Sequence, residues 1–196
     1  MTFQKLLIFD LDETLVRASR KPLTDLYGFQ VGPYYVYRRP YLQECIDFCR
    51  KRVACAVWTS AGARYAHEVV ARIFPKDMPL EFVWSRDRCT FRRFDAFNEM
   101  ELCEGAWVKN LKKVKRRGWC LSQVLMLDNT PKKLRFNYGN LVPIRDFRGD
   151  PEDVELPRFM RYLPELLEEN DVRPVEKRGW YNRVTAPDGR DAVTVK

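Results

Sequence analysis

Short apolar runs recur along the chain, and most give way to polar residues suited to a loop. Lys5 to Phe9, in KLLIFDLDETLV, is apolar almost without interruption, and similar runs cover 53–58, 81–84 and Gln123 to Leu127 (QVLML). Near-continuous apolar stretches of this length suit strands covered on both faces, as in a parallel sheet. Helical spacing occupies the intervals. The pattern predicts helices over Pro40 to Lys51 with proline at the start, over 62–73, over Val108 to Arg117 closed by Gly118, and over Pro151 to Asn170 with Asp150 as N-cap. Tyr27 to Tyr37 reads as a hairpin turning at Gly32-Pro33. The alternation predicts an α/β fold, a mostly parallel sheet with helices on both faces and only a small hairpin insert. The expected organisation is one domain over 1–170 and a tail over 171–196. Turn residues Pro187-Asp188-Gly189 make that tail either an edge hairpin or partly disordered.

The chemistry-bearing residues fall where these strands end, which in open α/β sheets is where ligands bind. Asp10 and Asp12 follow the first run at i and i+2, a spacing that lets two carboxylates converge on one metal ion and one substrate. Capping aspartates in an ordinary loop would look the same. Thr59 and Ser60 follow ACAVW, and Asp128-Asn129-Thr130-Pro131 follows QVLML, although that tetrapeptide alone also reads as a turn. Lys109 stands in AWVKNLKKV, at the start of the helix expected there.

Taken in order, these segments resemble the four motifs of the haloacid dehalogenase superfamily. Asp10, Asp12 and Thr14 stand in the D-x-D-x-[TV] places, Thr59 in the second motif, Lys109 in the third and Asp128-Asn129 in the fourth. DLDETLV, W-T-S-A, V-K-N-L and D-N-T-P narrow the resemblance to the small C-terminal-domain phosphatases of RNA polymerase II and their relatives, the NLI-interacting-factor-like family. YVYRRPYL and LVPI extend it over roughly residues 4 to 169. Thr130 departs from the family's usual D-N-S-P. Residues 17 to 34 look shorter, and 89 to 106 longer, than the family's pattern.

The resemblance implies a phosphate-monoester hydrolase. In it Asp10 is the nucleophile and Asp12 the general acid and base. Magnesium is held by Asp10, the Asp12 backbone carbonyl and Asn129. Thr59, Ser60 and Lys109 bind phosphate, and Thr14 and Asp128 support them. It further implies an arginine between the second and third motifs, for which Arg92 and Arg93 are candidates. A phosphoserine or phosphothreonine protein is the implied substrate. A small-metabolite phosphatase, a nucleic-acid terminal phosphatase and a non-catalytic module that binds phosphorylated segments remain the alternatives.

Composition removes several rivals. A chain of 196 residues, 45% hydrophobic, is long enough to bury a sizeable core. No apolar run reaches the ~18 residues of a membrane span, and MTFQKLLIFDLDE lacks a cleavable signal pattern, so no membrane association and an intracellular location are expected. The six cysteines form no C-x-x-C pair and head no C-x5-R loop, and Cys45 and Cys49, one helical turn apart, suit core packing. A single histidine, His67, leaves no basis for histidine-based phosphoryl transfer. The net charge of +8 favours phosphorylated or acidic partners, nucleic acid among them. Basic clusters such as Lys109 to Arg117 and Lys132-Lys133-Arg135 also read as solvated faces.

Overall fold

The computed structural model describes residues 3–23, 28–93 and 105–184. In chain order its strands and helices are β1 (Leu6–Phe9), β2 (Val16–Ser19), β3 (Phe29–Val31), β4 (Tyr34–Arg38), α1 (Leu42–Arg50), β5 (Ala54–Trp58), α2 (Ala63–Ile73), β6 (Leu80–Trp84), β7 (Thr90–Arg93), β8 (Gly105–Val108), α3 (Lys112–Lys115), β9 (Val124–Asp128), β10 (Leu141–Pro143) and α4 (Glu155–Glu168). The apolar runs pair as β10-β9-β1-β5-β6, parallel throughout. The result is the expected α/β architecture.

Alternation along β1 decides how the sheet is covered. Leu7 and Phe9 face a core shared with α1, α2 and α4, while Leu6 and Ile8 face a second core with Leu111, Val114 and Leu134. The long helices therefore lie on one face, and the other is covered by the four-residue α3 and by short 3-10 turns. Cys45 and Cys49 are buried as free thiols in the first core. No helix among the described residues is long and apolar enough to cross a membrane.

The hairpin expected over Tyr27 to Tyr37 turns at Gly32-Pro33, where Gly32 adopts φ +53°. It is joined by β2, giving an antiparallel sheet in the order β2-β4-β3. The helix expected over Val108 to Arg117 is a strand and a shorter helix instead. Val108 ends β8, which pairs with β7, and Asn110 Oδ1 accepts the Lys112 amide to start α3. A side-chain oxygen that captures a free backbone donor sets a helix start more firmly than periodicity does. Gly118, at φ +95°, ends the turn as expected. The last helix begins later than expected, because Asp153 rather than Asp150 takes the Glu155 amide, while Asp150 holds a preceding turn through Glu152. Beyond α4, Val172 and Trp180 are buried, and Trp180 stacks on Tyr162 with ring centroids 5.2 Å apart. The turn expected at 187–189 lies outside the described residues.

Candidate active site

β1 and β9 run side by side, so Asp10 and Asp128 emerge together at their carboxyl ends, and the Asp10 amide donates to the Leu127 carbonyl at 3.0 Å. Two lysines meet them. Lys109 leaves the end of β8, and its Nζ lies 2.9 Å from Asp10 Oδ1 and 2.6 Å from Asp128 Oδ2. Lys133 comes from the 3-10 turn after Pro131, and its Nζ lies 3.1 Å from Asp10 Oδ2 and 3.9 Å from Asp128 Oδ1. The backbones are joined too, since the Lys109 amide donates to the Lys133 carbonyl at 2.8 Å. Ionised groups are this deeply buried only when they are paired. One atom is left over: Asp10 Oδ1 is in charge contact with Lys109 but in no hydrogen-bonding alignment with any described group.

These contacts separate the two aspartates of the first loop electrostatically. Burial pushes the Asp10 carboxyl up, but the charges of Lys109 and Lys133 outweigh it and hold the group below its ordinary value. Asp12 goes the other way. Burial raises it, the Tyr65 hydroxyl opposes by donating to Oδ1 at 2.6 Å, and the neighbouring Asp10 charge raises it again. Asp128 is raised by burial and by Asp10, against the pull of the lysines. For Lys133, burial favours the neutral form, yet the carboxylates of Asp10 and Asp128 prevail and keep it charged.

The loop carrying the aspartates is tightly wound. Amides of Thr14, Leu15 and Val16 all converge on the Leu11 carbonyl, and Glu13 sits at φ +62°, a left-handed conformation uncommon for a residue with a side chain. Thr14 Oγ1 accepts the Asn129 amide at 3.2 Å and donates to Asn129 Oδ1 at 3.3 Å, tying this loop to the one after β9. Asn129 Nδ2 in turn donates to Asp146 at 3.0 Å and to Glu13 at 3.4 Å. Below the loop, the buried Arg39 donates to the Thr14 carbonyl at 2.9 Å, to the Arg145 carbonyl at 2.9 Å and to both oxygens of Asp153 at 2.8 Å.

Beside Asp12 opens a cleft of about 320 Å³, lined by Ala18, Tyr34, Ser60, Tyr65 and Arg86. Tyr34 and Tyr65 meet edge to face at 5.7 Å, and Arg86 Nε donates to the Ser60 carbonyl at 2.7 Å. Thr59 is buried at the end of β5, where its Oγ1 accepts the Ala61 amide at 3.1 Å.

The structure thus brings together Asp10, Asp12, Lys109 and Asp128, with Thr14 and Asn129 one contact away and Ser60 in the adjoining cleft. Lys109 reaches the site from a strand end rather than from a helix start. Arg92 is exposed on β7; the Arg93 side chain and residues 94–104 lie outside what the structure describes. Tyr34, in the hairpin expected over Tyr27 to Tyr37, lines the cleft. Lys133, Tyr65 and Arg86 are the site residues that the sequence pattern does not single out. Lys133 is hidden in a basic cluster, and Tyr65 has no local signal apart from its position beside the inward-facing Ala66.

A profile of the NLI interacting factor-like phosphatase family matches residues 5–173. Among curated proteins, the chain is 31% identical over 171 residues to CTD small phosphatase-like protein 1 of Caenorhabditis elegans, covering 83% of this chain and 32% of that protein. It is 30% identical over 176 residues to human carboxy-terminal domain RNA polymerase II polypeptide A small phosphatase 1, covering 86% and 61%. The chain therefore spans only part of the length of these relatives. A solved structure of Fcp1, an essential RNA polymerase II CTD phosphatase, aligns with a TM-score of 0.62 at 18% identity, covering 84% of this chain and 62% of that one. This alignment establishes a shared fold. With the family profile spanning nearly all of the described core, the chain belongs to the NLI interacting factor-like phosphatase family.

Proposed function

We propose that this protein hydrolyses phosphate monoesters through an aspartyl-phosphate on Asp10, with magnesium as cofactor and phosphoserine or phosphothreonine in proteins as substrate. One observation carries the reading: a buried carboxylate held below its ordinary pKa keeps an oxygen free of hydrogen bonds, two residues from a carboxyl pushed toward its protonated form. The first is the state a nucleophile needs and the second is the state a general acid needs. Asp10 attacks phosphorus as the ester P–O bond breaks, and Asp12 protonates the departing alkoxide. Asp12 then takes a proton from the attacking water, the P–O bond to Asp10 breaks, and inorganic phosphate leaves. Lys109 neutralises charge on the transferring phosphoryl group, with Thr59 and Ser60 as further donors and Asp128 holding Lys109 in place.

The donors around Asp10 fit a hard divalent cation. They are all oxygens, namely Asp10 Oδ1, which Lys109 meets as a charge contact, the Asp12 main-chain carbonyl and Asn129 Oδ1, whose two hydroxyl contacts are long at 3.3 Å. Magnesium held there would supply further positive charge at the phosphoryl oxygens. The protein substrate is supported by the names of the relatives.

The test is hydrolysis of a generic aryl phosphate by wild type, Asp10→Asn and Asp12→Asn, with and without magnesium. Metal-dependent turnover that falls at least ~10²-fold in both variants, the scale of lost acid–base catalysis alone, supports the mechanism. Inactive, well-folded wild type overturns it and leaves a phosphosegment-binding module. Parallel assays on phosphopeptides, nucleotides and 5′- or 3′-phosphorylated oligonucleotides decide the substrate class. Faster turnover of the oligonucleotides would replace the protein substrate with nucleic acid.

A further inference from the structure

We infer that Lys133 is a second phosphoryl-binding cation of the active site, which hands over from Asp10 to the transferred phosphoryl group. The inference deepens the phosphatase reading and rests on it. Lys133 and Lys109 approach the same carboxylate from different sides, on Oδ2 and Oδ1 respectively. Their exposures differ in a telling way. The Lys109 side chain is 0% exposed, whereas the Lys133 side chain is 18% exposed, so Lys133 is the one of the two that solvent reaches. Lys132, its neighbour in sequence, points to solvent, so it is the 3-10 turn after Pro131 that aims one of two adjacent lysines inward.

Formal charge explains why a second lysine matters. Among the four groups in contact, Asp10 and Asp128 bring two carboxylates and Lys109 and Lys133 two ammonium groups. Without Lys133 an incoming phosphate dianion would meet one positive charge fewer, whatever cation is bound beside it. As the O–P bond to Asp10 forms, that carboxylate loses its charge and Lys133 loses its main partner. The electron pair released from the ester bond leaves with the alkoxide, which takes the proton of Asp12. The nearest remaining anion on the Asp10 side is the phosphoryl group, with its two negative charges. Lys133 has then only to turn from a carboxylate oxygen to a phosphoryl oxygen a few ångströms away. An ammonium group at this position acts on charge present in the transition state, where such contacts are most effective.

The experiment compares wild type with Lys133→Met, the near-isosteric Lys133→Gln, Lys133→Arg and the neighbouring control Lys132→Met. Aryl phosphate hydrolysis is measured with magnesium, and binding of orthovanadate and of inorganic phosphate is measured separately. We expect Lys133→Met and Lys133→Gln to lower kcat/KM by ~10²-fold, the loss typical of one removed transition-state donor. Vanadate and phosphate affinity should weaken at least ~10-fold in both, with Lys133→Arg recovering most of each loss and Lys132→Met changing neither. A purely structural lysine would lower the melting temperature without this pattern of anion affinity. Folded Met and Gln variants within threefold of wild type in kcat/KM and anion binding overturn the inference while leaving the phosphatase reading intact. Wild type that shows no turnover overturns the phosphatase reading instead, and the inorganic phosphate measurement still decides whether Lys133 contacts the anion.

Discussion

Two buried ionic networks lie close together in this fold, and they are finished differently. Around Arg39, the donors Nε, Nη1 and Nη2 are matched to the Asp153 carboxylate and to the carbonyls of Thr14 and Arg145, all at 2.8–2.9 Å. Around Asp10, charge is balanced by Lys109 and Lys133, but hydrogen bonding is incomplete and Oδ1 has no aligned donor. A satisfied network fixes the chain in one conformation. A balanced but unsatisfied network keeps capacity for a ligand at some cost in stability. Arg39 supports the loop through the Thr14 carbonyl, and Asp10 stands at the start of the same loop in contact with Lys109 and Lys133, so structure and chemistry are divided between neighbouring networks.

Separating activity from stability is the sharpest way to break that comparison. Asp12→Asn should lower kcat by ~10²–10⁴-fold, the range for removing general acid–base catalysis, and leave the denaturant midpoint close to wild type. Arg39→Met should do the reverse. Removing one partner of a buried ion pair costs about 3–5 kcal/mol, so its midpoint should fall steeply, as chemical denaturation would show. If Arg39→Met is as stable as wild type but inactive, the Arg39 network belongs to the chemistry and the contrast collapses.

pH gives a finer cut. Because Asp12 acts as acid in its protonated form and its pKa is raised, kcat/KM should fall on an alkaline limb that lies above the ordinary carboxylate range. The Tyr65 hydroxyl favours the ionised form, so Tyr65→Phe should move that limb to higher pH; an unmoved limb in a pH–rate profile would show that Asp12 is not the titrating acid. The same raised pKa makes the stability contribution of Asp12 decline as pH rises from its unfolded value through its folded one. The smallest effect belongs to the surface. Arg173 pairs with Asp171 at 2.6 Å, but both are solvated, and Arg173→Ala should leave the thermal midpoint unchanged in a calorimetric scan.

The parallel sheet was legible because β1, β5 and β9 are buried on both faces and so are apolar at every position except the closing Asp128 of β9, with polar residues beginning where each strand ends. The Asp10, Asp12 and Asp128 positions were legible for the same reason, since strand ends in such a sheet converge. The 108–117 stretch misled because VKNLKKVKRR has helical periodicity, while Val108 is committed to β8 by pairing with Thr90, eighteen residues earlier in the chain. Lys133 was hidden by a different limit. Two adjacent lysines look alike in sequence, and only a turn of particular geometry buries one and solvates the other. Tyr65 and Arg86 enter through contacts with Asp12 and Ser60 that have no local pattern.

The placement of Trp180 bears on the order in which this protein can complete itself during synthesis. β10 is an outer strand of the main sheet, and the Trp180 indole nitrogen donates to the carbonyl of its last residue, Pro143, while the ring stacks on Tyr162. A growing chain released through residue 173 already holds every strand and helix described above, yet it lacks the side chain that closes this edge. Uncovered strand edges are where partly made domains pair with the wrong neighbour. The folding unit thus runs past the segment that the family profile matches, and this edge is complete only once Trp180 has been made and seated.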